Sequence, residues 1–298
     1  MSSSNRTVAA TTTPPRPGLL VGPRGEKIKL SIITALGIAV MVASLFPIYW
    51  MVVSALRHPS VFFTPNPSLI PGPFTLEYFQ QLFTMTNFPR WYLNSSIVAG
   101  LATLITVSAA SLMSYILVRF PIPGLFFTLR LMLVGYMLPQ MLLGIPLFAI
   151  LTRLMIDDTI LSLIISHISI GLPFAVWVLW SFFKTVPPEI EESALVDGAT
   201  RLQALSHVVL PLALPGIVTA AIFAFIVSWT DYTFALLMIS SDDSRTVPFG
   251  LATMMGQYEM RWGEMLGGAT LVAVPMLILF AFVSQYFIRG LTAGGVKG

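Results

Sequence analysis

Cysteine is absent from the sequence, which excludes disulfides and thiolate metal sites. Histidine occurs only as His58, His167 and His207, at spacings that match no metal-ligand pattern, so no metal site is expected. Charge is scarce. Asp, Glu, Lys and Arg make up 10% of the 298 residues, against about 25% in an average soluble domain. With 56% of residues hydrophobic and a mean hydropathy of +0.84, this argues against a water-soluble fold. Also missing are the G-x-x-x-x-G-K-[ST] loop that cradles nucleotide phosphates and the H-E-x-x-H and G-x-S-x-G motifs. Asp231 is the one charged residue within the apolar segments and cannot form an aspartyl protease pair. No enzymatic activity and no cofactor are therefore expected in the chain itself. The net charge of +3 is scattered between apolar segments, which gives no nucleic-acid patch.

What the sequence has in abundance is long apolar runs. Six of them, about 31–56, 92–118, 131–152, 160–183, 214–239 and 265–287, reach the roughly 20 residues needed to cross hydrocarbon. A backbone in lipid must satisfy its own hydrogen bonds, so these spans are expected to be helices, and the fold class an all-α integral membrane protein. Residues 1–29 are rich in Ser, Thr, Pro and Gly and read as a flexible cytoplasmic tail; residues 30–298 read as one membrane domain. The first run is too long for the apolar part of a signal peptide and is expected to be an uncleaved span.

Basic residues set the orientation. With both termini inside, Arg6, Arg16, Arg24, Lys27, Lys29, Arg119, Arg130, Lys184, Arg201, Arg289 and Lys297 are cytoplasmic. Only Arg57, Arg90, Arg153, Arg245 and Arg261 are then outside, as the positive-inside rule favours. Trp50, Trp91 and Trp262 stand near span ends, where interfacial anchoring is expected. Pro47, Pro139, Pro146, Pro173 and Pro275 lie within spans and predict kinks.

The stretch 184–213 between the fourth and fifth spans, KTVPPEIEESALVDGATRLQALSHVVLPLA, has its own grammar. Pro188 suits a first helical position, and Glu189, Glu191 and Glu192 crowd the first turns, where the helix dipole favours negative charge. Gly198 should stop that helix, and Thr200 with Gln203 supplies a capping-box spacing for a second. Leu202, Leu205 and Val209 would give the second helix an apolar face, and it is expected to end before Leu210. The result is a helix-glycine-helix elbow, with small residues Ser193, Ala194 and Ala199 that let a partner approach closely.

Glu192, Ser193, Ala194, Gly198, Val208, Leu210 and Pro211 fall at the spacing E-A-A, three residues, G, nine residues, I-x-L-P. In this the chain resembles the type I permease subunits of binding-protein-dependent ABC importers. Ser193 and Val208 replace an alanine and an isoleucine of that pattern, and Asp197 and Ala199 strengthen the likeness. The ending RGLTAGGVKG, residues 289–298, resembles the maltose-permease type within the carbohydrate-uptake branch.

The resemblance implies an inner-membrane subunit that forms half of a sugar translocation pathway. Its implied partners are a second homologous permease subunit, two ATPase subunits that bind ATP and Mg, and an extracytoplasmic binding protein. Glu191, Glu192, Ser193, Ala194, Asp197, Gly198, Ala199, Leu210 and Pro211 are then the expected ATPase-coupling residues.

A charge at mid-helix costs roughly 2.5–3.5 kcal/mol on insertion scales, so Asp231 should face protein or water. On a continuous fifth helix, Ser228, Asp231, Tyr232 and Ala235 share one face, and Trp229 stands one turn from Tyr232. Ser228, Trp229, Asp231 and Tyr232 are thus candidates to line a sugar path, against an alternative of interhelical hydrogen bonding. His167 and Gln140 admit the same two readings. In the resembled family the loop equivalent to 240–263 approaches the binding protein, which makes Gly250, Met254, Gly256, Gln257 and Tyr258 candidate contacts. An ion-coupled carrier with Asp231 as its proton site is the competing function.

Overall fold

The computed structural model describes residues 23–61, 68–70, 72–256 and 261–294, with side chains described between 26 and 282. Most of the expected tail, 1–22, lies outside the described residues, as do Gln257, Tyr258 and the last four residues. Every named element is helical. Four helices are long and apolar enough to cross a membrane, and two bent helix pairs raise the number to six.

The chain divides into two units after Trp50. The first unit holds most of α1 (Pro23–Ala55), which begins earlier than the expected Ser31. Proline suits a helix start and Glu26 complements the dipole of the first turn, so residues 23–29 are helical and not part of a flexible tail.

The second unit is built around α3 (Phe88–Arg119), preceded by the short α2 (Glu77–Thr84). The helix α3 packs along α6 (Ile160–Phe183) and α10 (Leu214–Trp229), which also touch each other. Small side chains allow the approach: Ala99, Ala102, Ala110, Ala175, Ala220 and Ala224 are all buried. A Cβ on Gly216 would come within 2.4 Å of the Phe182 ring, so glycine is required where α10 starts against α6.

Two expected spans are broken. The third is α4 (Leu125–Tyr136) and α5 (Gln140–Arg153), bent by 107° at residues 137–139. Pro139 carries no N–H and drives the preceding residue towards extended backbone, which turns an expected kink into a break. The fifth ends at Trp229 and resumes as α11 (Thr233–Met238). The expected single face of Ser228, Asp231, Tyr232 and Ala235 therefore does not exist. The last described helices are α12 (Val247–Ala252) and α13 (Trp262–Gly294), the latter longer than the expected 265–287.

Apolar side chains gather in three clusters. One, with Tyr115, Leu129, Leu179, Phe183, Val186, Leu205 and Val209, lies beneath the elbow. A second, with Val98, Leu151, Leu163, Phe234 and Met238, joins α5, α6 and α11. The third seats Trp91 among Leu82, Phe88, Val247 and Met254. Trp91 is 4% exposed and donates from Nε1 to the Asp242 carbonyl at 3.1 Å, so it is a core residue and not an interfacial anchor.

Candidate functional site: the helix-glycine-helix elbow

Residues 188–212 form the expected elbow. The helix α7 (Pro188–Val196) ends at Gly198, whose φ of +92° is a left-handed value that side-chain-bearing residues rarely adopt. The Gly198 N–H donates to the Leu195 carbonyl at 3.1 Å and the Ala199 N–H to the Ala194 carbonyl at 3.0 Å, the paired bonds of a Schellman stop. Thr200 and Gln203 then close a reciprocal capping box at the start of α8 (Arg201–Ala204).

The second arm does not end before Leu210. It passes through a π-helical turn, Leu205–Val209, into α9 (Leu210–Leu212), and then bends by 84° into α10. Leu205 and Val209 point into the core, whereas Leu202, expected on the same face, is 67% exposed.

The elbow brings Ala194, Asp197, Gly198 and Ala199 together around a groove of about 350 Å³ that His207 and Gln203 also line. Glu192, Ser193 and Pro211 are exposed beside it, and Leu210 is half-buried. Glu191 is turned the other way and is 1% exposed. Its carboxylate accepts from Arg119 Nε at 2.5 Å and Arg201 NH1 at 3.2 Å, and from the Tyr115 hydroxyl. Sequence reasoning missed all three of these partners.

Burial alone would raise the Glu191 carboxyl, but the hydrogen bonds from Tyr115 and Arg119 and the Arg119 charge outweigh it and hold the group below the usual carboxylate range. A depressed folded value adds stability above the unfolded carboxylate value, lost as pH falls through the folded one. Amide exchange in α7 is therefore expected to keep its protection from about pH 8 to about pH 5 and to lose it only in stronger acid.

At the break of the fifth span, the Asp231 carboxylate accepts from the Phe234 and Ala235 N–H groups at 3.1 and 3.2 Å, so it caps α11. His167 Nε2 lies 3.2 Å from its Oδ2, and His167 Nδ1 meets Ser228 Oγ at 2.7 Å. Trp229 donates to the Val272 carbonyl at 3.1 Å. Ser228, Trp229 and Asp231 are thus buried with partners inside the chain, at 5%, 2% and 8% exposure, while Tyr232 is 41% exposed. Among the described residues no group of His, Asp and Glu could hold a metal ion.

At the opposite end from the elbow, Asp158 accepts from the Ser240 and Ser241 N–H groups at 2.8 and 2.9 Å. Asn94 holds the carbonyls of Asp243 and Arg245 at 2.7 and 2.9 Å. A hollow of about 890 Å³ opens here, lined by Asn87, Asp242, Arg245, Met254, Gly256 and Arg261 among others. Gly250 and Met254, expected as partner contacts, are buried, and Gly256 is exposed. A Cβ on Gly250 would come within 2.2 Å of the Trp91 ring. Gly250→Ala is accordingly expected to displace Trp91 and cost about 1–3 kcal/mol, read as a lower unfolding temperature in detergent.

The described residues form a bundle of membrane-length helices with an exposed elbow turned at Gly198. The chain belongs to the family described as binding-protein-dependent transport system inner membrane component, which matches residues 126–293. It is 35% identical over 260 residues to the inner membrane ABC transporter permease protein YcjP of Escherichia coli, covering 87% of this chain and 93% of that one. It is 31% identical over 283 residues to the trehalose/maltose transport system permease protein MalG of Thermococcus litoralis, covering 92% and 99%. Its fold matches a chain of a bacterial ABC transporter for import of the acidic polysaccharide alginate, with a TM-score of 0.78 at 18% identity over 90% of this chain and 99% of that one.

Proposed function

We propose that this chain is one of two permease subunits of an ATP-driven, binding-protein-dependent sugar importer, with the elbow as the dock for a cytoplasmic ATPase. The observation that carries the reading is the elbow itself. Its Schellman stop at Gly198 holds Ala194, Asp197 and Ala199 around one groove and leaves Glu192 and Ser193 exposed at its edge. A cargo of carbohydrate is supported by relatives named for trehalose/maltose, diacetylchitobiose and trehalose transport. The distribution of basic residues supports cytoplasmic termini and a cytoplasmic elbow. ATP and Mg belong to the partner ATPase, and this chain requires no cofactor of its own.

On this reading Tyr232, exposed at the break of the fifth span, is the path candidate that faces outward from the chain, and Gly256 with its neighbours meets the binding protein. The ion-coupled alternative has no support, since the family and the named relatives are permeases of binding-protein-dependent and ABC transport systems.

The test is mass spectrometry of everything that copurifies with the tagged chain from gently solubilised membranes. Recovery of an ATPase and a second permease subunit is expected; reproducible isolation without any ATPase would overturn the reading.

A further inference from the structure

Of the nine residues of α7, Glu191 alone is buried. A surface helix is ordinarily seated by an apolar stripe. This one turns Ile190 and Val196 outward, at 43% and 87% exposure, and is seated by a carboxylate. Both oxygens of that carboxylate are held: Oε1 by Tyr115 and Arg201, Oε2 by Arg119. Arg119 also donates to the Val186 carbonyl at 3.1 Å, in the segment that leads into α7. One group therefore joins the end of α3, the first arm of the elbow and the second arm.

Buried ion pairs add little net stability, because desolvation offsets their attraction, but their directed bonds fix orientation. An apolar seat would keep α7 on the bundle while letting it slide or roll. A carboxylate gripped at both oxygens resists both motions. The helix gripped is α3, against which α6 and α10 pack, so a displacement of α7 passed to Arg119 reaches the centre of the bundle.

We propose that Glu191 is the positioning residue that transmits movement of the elbow to the membrane helices, acting through Arg119 and Tyr115 and not by contact with the ATPase. This rests on the reading that the elbow docks an ATPase.

The test uses the complete transporter in proteoliposomes with its binding protein, and the readout is sugar imported per ATP hydrolysed. E191L keeps a buried side chain of similar volume without the bonds; E191Q keeps size and an acceptor oxygen without the charge; R119Q removes the partner on α3. In each variant the ATPase is expected to copurify at the wild-type amount. The transport ratio is expected to fall about tenfold in E191L and R119Q, and less in E191Q. The E191L/R119Q double variant should be no worse than either single one, as residues acting through one link behave.

A wild-type ratio in the variants would overturn the proposal and leave Glu191 as packing. Loss of the ATPase from the variants alone would overturn it too, since Glu191 would then serve docking. Absence of the ATPase from the wild-type chain would instead overturn the underlying function. Should E191L fail to fold, E191Q and R119Q carry the same comparison.

Discussion

Replacing Gly198 with proline is expected to abolish ATP-driven uptake while leaving the chain in the membrane. Proline fixes φ near −65°, and Gly198 stands at +92°, so the elbow cannot keep its turn. The substitution also removes the N–H that donates to the Leu195 carbonyl. The apolar spans are untouched, which is why insertion survives. Alanine makes a graded companion. A Cβ at Gly198 meets nothing within 4 Å, so Gly198→Ala suffers only the left-handed backbone cost of about 1–2 kcal/mol and should retain part of the uptake. Uptake and ATPase copurification, measured on membranes with equal amounts of each variant, check both expectations. Wild-type uptake in the proline variant would reject the elbow as the coupling element.

Asp231→Ala is expected to destabilise the chain by about 1–3 kcal/mol, because it leaves the buried Phe234 and Ala235 N–H groups at the start of α11 without their acceptor. Asp231→Asn keeps one acceptor oxygen for the start of α11 and should lose less. Thermal unfolding of the purified complex, followed in detergent, reads the difference. The pattern separates the two roles open to this residue: a packing role lowers stability and leaves the sugar affinity of folded protein unchanged, whereas a path role lowers affinity at unchanged stability. The 8% exposure of Asp231 favours the first outcome.

The second and fourth spans were legible almost residue by residue: 92–118 and 160–183 were expected, and Phe88–Arg119 and Ile160–Phe183 are observed. Hydropathy carries depth but no direction, so the same reasoning ran the third and fifth spans straight through their breaks. Signals for both breaks were present. Leu138 precedes a proline, and Asp231 stands three residues before the N–H it caps, yet uniform apolar surroundings made the one read as a kink and the other as a lone charge.

The elbow's turn was readable because its bonds are local, from Ala194 to Gln203. The partners of Glu191 on α3 were not, since Tyr115 and Arg119 lie 76 and 72 residues away and no local pattern points across that distance. The same holds for His167 with Ser228, 61 residues apart.

Ile190, Val196 and Leu202 face outward on the elbow, and under the proposed function the ATPase is the protein that covers them. On that reading, synthesis in excess of the ATPase would leave a population of orphan subunits prone to clumping and to capture by proteases. Matched production of the two chains then becomes a condition for the permease to persist, and the abundance of one should track the abundance of the other.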